Sequence, residues 1–165
     1  MLLLAVLLTT VVAQMPKAAA NDPSLGTWVL NAQKSNFASG PVPKAFVERY
    51  DLRPDGFIVS TRSLIAADGS PAFEQAVFRY DGKDYEWWDN ASLAEFLASG
   101  KRAPKTLSVK SIDTYTVEIT GKQAGKVIAS GKRTVSRDGK TMTFTVKSVT
   151  PQGQSVDVVG LFEKQ

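Results

Sequence analysis

Hydrophobic and polar residues alternate through most of the chain after residue 21, and this pattern predicts β-strands. In the clearest case, Tyr115, Val117 and Ile119 alternate with threonines and a glutamate. Successive side chains of a strand point to opposite faces, so the pattern is typical of strands with one buried face. We predict ten strands, at residues 25–30, 44–53, 57–65, 71–80, 84–88, 105–111, 114–121, 126–137, 140–150 and 154–163.

Asp-Gly pairs separate several of these strands, at residues 55–56, 68–69, 81–82 and 138–139. Asp-Gly is a preferred centre of tight hairpin turns because both positions tolerate positive φ. Tight turns make sequence neighbours antiparallel neighbours in the sheet. A barrel and a sandwich both fit such strands, and the uniform hairpins favour the barrel. The predicted fold is therefore an all-β, antiparallel up-and-down barrel of about eight to ten strands.

One segment departs from the strand pattern and predicts a short helix near residues 91–99. A glycine that can cap its end follows the segment. The helix is also supported by apolar residues at helical spacing, Leu93, Phe96 and Leu97. Trp87 and Trp88 precede this helix. Because they are adjacent, they should face opposite sides of their strand, and one should lie outward or against the helix. They either gate the mouth of the barrel or anchor the helix.

Residues 1–20 are predicted to be a signal peptide, and residues 21–165 a single barrel domain. The apolar run at 2–13 is shorter than the roughly 20 residues that span a bilayer as a helix. The alanines at 18–20 supply a cleavage pattern, and a cut after Ala13 is an alternative. No basic residue precedes the run, so a membrane anchor is also an alternative. We expect an exported protein, periplasmic or secreted, with membrane contact only through this segment if it stays uncleaved.

Two residue types are missing from the chain: it contains no histidine and no cysteine. Their absence removes the common nucleophile systems, thiol chemistry and the usual ligands of zinc and haem. We therefore expect no catalytic residues, no metal site and no cofactor, and predict that the protein is not an enzyme. Its net charge of +4 is spread along the chain, so nucleic acid is not an expected partner. Nothing in the pattern indicates an oligomeric state.

Several motifs resemble a group of small bacterial exported proteins regarded as lipocalin-like in fold. The opening motif is Leu-Gly-Thr-Trp at 25–28, followed by Lys-Ser-Asn-Phe at 34–37. Further matches lie at 80–85, 135–141 and 162–165, and together they cover most of residues 25–165. The resemblance implies a lipocalin-like barrel of the calycin type.

The triplet Gly26-Thr27-Trp28 also resembles the opening signature of the lipocalins proper. In that family the tryptophan plugs one end of the barrel, usually beneath an arginine near the last strand. The predicted last strand of this chain has no arginine, which departs from the family pattern. Arg133 is the candidate substitute.

A barrel of about eight strands is either filled by side chains or holds one small ligand. Our first hypothesis is that this barrel binds a small apolar or amphipathic ligand, including an anionic amphiphile, in its lumen. Inward-facing aromatic and apolar residues, the tryptophans and one charged residue are the candidate contacts, with plain core packing as the alternative. They are Tyr50, Phe57, Val59, Phe78, Tyr80, Trp87, Trp88, Phe96 and Arg133.

Arg133 shares strand parity with small and apolar residues, so it is predicted to point inward. A planar guanidinium pairs well with a carboxylate, and an unpaired buried charge is costly. Arg133 should therefore bind a ligand carboxylate or form a structural ion pair with Glu48 or Glu74. We favour the ion pair slightly.

The second hypothesis is a structural or interaction protein of the cell envelope, with a filled barrel and no ligand. The volume of the interior discriminates the two. A cavity below about 300 Å³, the lower end for ligand pockets, favours this second hypothesis.

Overall fold

The computed structural model describes residues 21–38, 40–149, 153 and 155–165. The predicted signal peptide, residues 1–20, lies outside the described residues. Within the described part of the chain, no helix has the length and apolar character needed to cross a membrane.

The described chain forms ten strands and one α-helix, in an order close to the prediction. The elements are β1 (Gly26–Leu30), β2 (Ala45–Leu52), β3 (Ile58–Ile65), β4 (Pro71–Phe78), β5 (Asp81–Asp89), α1 (Asn90–Ser99), β6 (Lys105–Ser111), β7 (Thr116–Gln123), β8 (Lys126–Val135), β9 (Thr141–Val149) and β10 (Ser155–Lys164). A short 3₁₀ turn at Ala32–Lys34 follows β1.

The strands close into a barrel in which sequence neighbours are also neighbours in the sheet. The closing pair is β1 with β10, and β1 also pairs with β2. Trp28 consequently lies between Lys164 on one side and Glu48 on the other. The predicted closed, antiparallel up-and-down barrel is confirmed, and so is the short helix. Helix α1 is capped by the Asp89 side chain at its start and by Gly100 in the left-handed conformation at its end.

The up-and-down order places alternate connections at opposite ends of the barrel. One end carries α1 and the connections β1–β2, β3–β4, β7–β8 and β9–β10, and we call it the helix end. The other carries the start of β1 with Trp28, the end of β10 and the four remaining connections. We call it the tryptophan end.

Three of the four Asp-Gly pairs lie in hairpin turns as predicted, and the pair Asp81-Gly82 does not. Strand β4 ends at Phe78 and β5 already begins at Asp81, so the turn is made by residues 79–80. Gly82 has φ of 74°, and the β5–β6 pairing shifts register between Asp81 and Asp84. The pair therefore forms a bulge at the start of β5, where glycine provides the positive φ.

The core is a continuous set of inward-facing side chains around Trp28, which has no exposed surface. The predicted inward face was correct for β2 and β4 and wrong for β3. Tyr50 pairs directly with Ser60 across the β2–β3 hairpin, and directly opposed residues share a face. Ile58 and Ser60 are therefore buried, whereas Val59, opposite Asp51, lies on the outer face. Phe57 precedes β3, is half-buried and packs edge-on against Tyr85.

Candidate functional site

A layer of charged side chains crosses the interior of the barrel. Glu48 on β2 pairs in register with Arg62 on β3, which pairs with Glu74 on β4, so all three share the inner face. The Arg62 guanidinium donates from Nε to Glu48 and from Nη1 to Glu74 Oε2 at 3.2 Å. Burial disfavours its charged form, but the charges of the two glutamates outweigh burial and raise the pKa of Arg62. Arg62 is therefore a fixed cation held between two carboxylates.

A cavity of about 210 Å³ lies beside this layer, toward the helix end, and is partly open to solvent. The carboxylate of Glu48 and the guanidinium of Arg62 form its polar side. Phe46 packs edge-on against Phe162 with ring centroids 5.2 Å apart, and Arg62 lies 4.7 Å from the ring centre of Phe144. The full lining is Leu30, Phe37, Phe46, Glu48, Arg62, Phe144, Val146, Val158, Gly160 and Phe162.

The Arg62 guanidinium has hydrogen-bonding capacity beyond its two glutamate contacts. It carries five N–H groups, of which one on Nε and one on Nη1 bind the glutamates. A second space of about 10 Å³ touches Arg62 beside Ser60 and Trp87, which is about the room that one water needs. Arg62 thus borders both spaces with N–H donors that are not used by the two glutamates.

The tryptophan end is filled instead by a hydrogen-bonded cluster around Arg133, of which only 3% is exposed. Its Nη2 donates to the Tyr80 hydroxyl at 2.8 Å, and its guanidinium lies 4.2 Å from the ring centre of Tyr50. The Tyr80 hydroxyl also contacts Ser24 Oγ at 3.0 Å. Burial raises the pKa of both tyrosines. The phenols therefore stay neutral, and the Tyr80 hydroxyl accepts one hydrogen bond from the arginine.

Trp28 completes this plug. Its indole Nε1 donates to the backbone oxygen of Ser24 at 2.7 Å. Lys164 is the last residue of β10, and its ammonium lies 5.1 Å from the centre of the Trp28 ring. A lysine on the last strand thus covers the tryptophan, where the lipocalin resemblance had suggested Arg133 in place of the family's arginine.

The ion pair favoured for Arg133 is formed by a different arginine. Arg133 does point inward, but among the described residues no carboxylate lies within 4.0 Å of it. The two predicted partners, Glu48 and Glu74, both bind Arg62 instead. The physical reason is register, because Arg62 lies directly opposite both glutamates on neighbouring strands. The wrong face assigned to β3 concealed this residue.

The two tryptophans before α1 face opposite sides of β5, as predicted. Trp87 points inward, and a Cβ added at Gly121 would come within 3.0 Å of its ring. Trp88 points outward and packs edge-on against Phe96, with ring centroids 5.8 Å apart. The Arg102 guanidinium lies 4.0 Å from the centre of the Trp88 ring. Trp88 and Phe96 thus anchor the helix on the outside of the barrel.

The nine candidate residues are distributed over three places. Tyr50, Phe78, Tyr80 and Arg133 lie in the filled part of the core, and Trp87 borders the one-water space. Val59, Trp88 and Phe96 lie outside the lumen, and Phe57 lies before β3, where its ring packs against Tyr85. The described lining of the 210 Å³ cavity includes none of the nine, and their role in ligand binding stays a prediction.

Sequence reasoning missed the residues that line the cavity, although the signal for several was present. Phe144 and Val146 alternate on β9, and Phe46 shares strand parity with Glu48 and Tyr50. These patterns identify an inward face. They do not distinguish a side chain that touches a void from one that is packed on all sides.

Comparison with solved structures supports the barrel fold. Rv2717c from M. tuberculosis aligns over 92% of this chain and 98% of its own, with 13% identity and a TM-score of 0.58. The structure of EF1p2_mFAP2b bound to DFHBI aligns over 91% of this chain and 100% of its own, with 10% identity and a TM-score of 0.53. At such identities the likeness concerns the fold alone. No family model and no curated protein matches the chain.

Fold and site together define a closed, ten-stranded antiparallel β-barrel protein with an apolar cavity at one end. The other end is plugged by tryptophan, tyrosine and arginine side chains.

Proposed function

We propose that this protein is an exported, lipocalin-like binding protein, and not an enzyme. Its ligand is a small apolar or amphipathic molecule taken into the helix end of the barrel. The cavity is the observation that carries the proposal: phenylalanine, valine and leucine side chains surround it, and one polar side offers a fixed donor. Apolar walls with a few convergent polar groups are typical of small-molecule sites.

The size of the cavity limits the ligand. Its volume of about 210 Å³ is below the roughly 300 Å³ at which ligand pockets usually begin. The site therefore suits a compact molecule, or the apolar end of a longer one whose remainder protrudes through the opening. A cavity of this volume excludes a bulky, sterol-sized ligand.

The charges around the cavity favour an uncharged polar group on that ligand. Glu48 and Glu74 both contact Arg62, so this guanidinium already lies between two carboxylates. A carboxylate placed at Arg62 would add a third negative charge beside Glu48, of which only 1% is exposed. Isolated buried charge is costly. A hydroxyl or carbonyl oxygen that accepts from Arg62 fits better than an anion.

The same volume also favours the second candidate, an interaction protein with an essentially filled barrel. In that case the cavity is a packing defect, and the exterior surface performs the function. Ligand titration discriminates the two candidates.

The test is an NMR titration of the mature protein with hexanol and, separately, with hexanoate. Hexanol should shift the amide signals of residues around the cavity, and hexanoate should bind more weakly. Val158→Phe fills the cavity and should abolish the shifts. Val159→Phe is the matched control, because the neighbouring Val159 points outward and is 39% exposed.

Native mass spectrometry of protein purified from its own cell envelope should in addition show a bound small molecule. Amino-terminal sequencing of that material tests export, since the mature chain should begin after residue 13 or 20. Absence of bound mass, together with equal responses of the Val158 and Val159 variants, contradicts the binding proposal and favours the filled barrel.

A further inference from the structure

Exposed apolar side chains are concentrated at the helix end of the barrel. Ten large hydrophobic residues are exposed in the described part of the chain, and seven of them belong to this end. The tryptophan end has two, Ile112 and Tyr115, and Val159 lies on the outer wall. The seven are Val42, Ile65, Leu93, Phe96, Leu97, Val127 and Val149.

Helix α1 contributes the densest part of this surface. Leu93, Phe96 and Leu97 lie on one side of the helix at spacings of three and four residues, and they are 37%, 44% and 75% exposed. The Phe96 ring packs on Trp88 and holds the helix on the barrel wall, so only part of Phe96 faces solvent. A fixed helix that presents two leucines and part of a phenylalanine to solvent is unusual, and exposed apolar patches of this kind mark interaction sites.

Three lysines at the same end form no ion pair with a described residue. Lys44, Lys101 and Lys126 are exposed, and within the described residues no carboxylate lies within 4.0 Å of any of them. Asp68 and Glu95 lie at the same end and keep their negative charge while they accept from the backbone of Ser70 and Ala103. Apolar residues and a small excess of lysines over free carboxylates therefore coexist around one end of the molecule.

We propose that the helix end docks on the surface of an anionic lipid bilayer. The apolar face of α1 would enter the interfacial region, and the three lysines would contact lipid phosphates. Apolar area and basic charge both favour binding to anionic bilayers. The bilayer surface would then lie next to the cavity, which belongs to the same end. The inference concerns a surface separate from the ligand cavity and stands without the ligand proposal.

Vesicle co-sedimentation tests this inference with the mature protein. Vesicles of phosphatidylcholine with 30 mol% phosphatidylglycerol, roughly the anionic content of a charged membrane, are compared with pure phosphatidylcholine vesicles. Binding should be stronger to the anionic vesicles and should weaken as salt is raised.

Leu97→Glu is the main variant, because its exposed position allows the change without disturbing the core. It should lower vesicle affinity by about tenfold or more, as expected when one leucine no longer enters an apolar environment. Ile112→Glu is the matched control, since Ile112 is 50% exposed at the opposite end, and it should bind as the wild type does. Lys101→Gln should lower affinity for the anionic vesicles by about fivefold.

Two results would overturn the inference. One is sedimentation with neither type of vesicle, and the other is equal affinity of the Leu97 and Ile112 variants. If the protein instead forms a dimer in analytical ultracentrifugation that only Leu97→Glu dissociates, the apolar face belongs to a second copy of the chain. Failure of vesicle binding leaves the hexanol titration unaffected, so the two proposals can fail separately.

Discussion

The two ends of the barrel are built by the same ten strands, but the interior is filled at one end and contains a cavity at the other. At the tryptophan end, Trp28 is fully buried and hydrogen bonds link Ser24, Tyr80 and Arg133, while Asp22 Oδ2 is buried there without a partner among the described residues. At the helix end, phenylalanine side chains border a void, and Leu97 is 75% exposed. The comparison shows that closure of a barrel wall does not determine whether its interior is filled.

The connections account for much of this difference. The tryptophan end receives the start of β1 and the last residue of β10, so backbone and side chains from both can converge on one plug. The helix end receives α1, which packs on the outer face through Trp88 and Phe96 instead of entering the lumen. We therefore expect the tryptophan end to contribute mainly stability and the helix end mainly recognition.

The largest expected effect comes from removing the plug. Trp28→Ala should lower the free energy of unfolding by about 3–5 kcal/mol, the usual cost of a large aromatic cavity. Trp88→Ala at the helix end should cost only about 1–2 kcal/mol, since one aromatic pair and one cation–π contact are lost. Urea denaturation of both variants measures the difference. Equal losses would mean that the ends do not divide these roles.

Disruption of the charged layer between the two ends should have the second-largest effect on stability. Glu48→Gln leaves the Arg62 guanidinium without its more deeply buried carboxylate and should cost about 3 kcal/mol. Glu74→Gln is the matched control. The Glu74 side chain is 28% exposed, and because solvent screens its charge, the free energy of unfolding should fall by only about 1 kcal/mol. The same denaturation measurement applies. A larger loss for Glu74→Gln would contradict the assigned burial.

The third prediction tests the packing of Trp87 inside the barrel. Gly121→Ala places a Cβ within 3.0 Å of the Trp87 ring, and such overpacking should destabilise the fold by about 1–3 kcal/mol. Adding Trp87→Leu makes room for the new methyl group. The double variant should therefore lose less stability than the sum of the single variants. Simple additivity would show that the two residues are not in contact.

The smallest effect concerns pH and the buried phenol of Tyr50. Burial and the negative charge of Glu48 raise its pKa above the ordinary value of about 10. Below that value, both folded and unfolded chains hold the proton, and stability is fully present. Above it, the unfolded chain loses the proton first, so the free energy of unfolding falls as pH rises.

Tyr50→Phe should reduce that alkaline slope by about 1 kcal/mol per pH unit, because the phenol of the unfolded chain is only half ionised at its ordinary pKa. Denaturation curves between pH values of about 10 and 11 measure it. An identical slope in the variant would show that Tyr50 titrates as it does in the unfolded chain.

Much of the fold was predictable because strand alternation and hairpin turns are local signals. The predicted order of ten strands and the helix before β6 are confirmed, as is the opposite orientation of Trp87 and Trp88. The error on β3 arose because strand parity was carried across a turn, where an offset of one residue reverses the face. That error placed Val59 inward and hid Arg62.

The candidate site was less predictable than the fold. Inward direction follows from alternation, but cavity volume depends on strand tilt, stagger and the way neighbouring side chains fill the space. Phe46, Phe144 and Phe162 come from three different strands, and no local pattern shows that they meet around a void. The exposed face of α1 was visible as helical spacing, whereas the surrounding lysines required the barrel topology.

Xenon binding in a crystal of the protein is the most direct test of the difference between the two ends. Xenon enters accessible apolar cavities. We expect one xenon atom at the helix end, in contact with Phe46, Phe144 and Phe162, and none near Trp28. Xenon beside Trp28, or an interior that takes up none, would contradict this expectation.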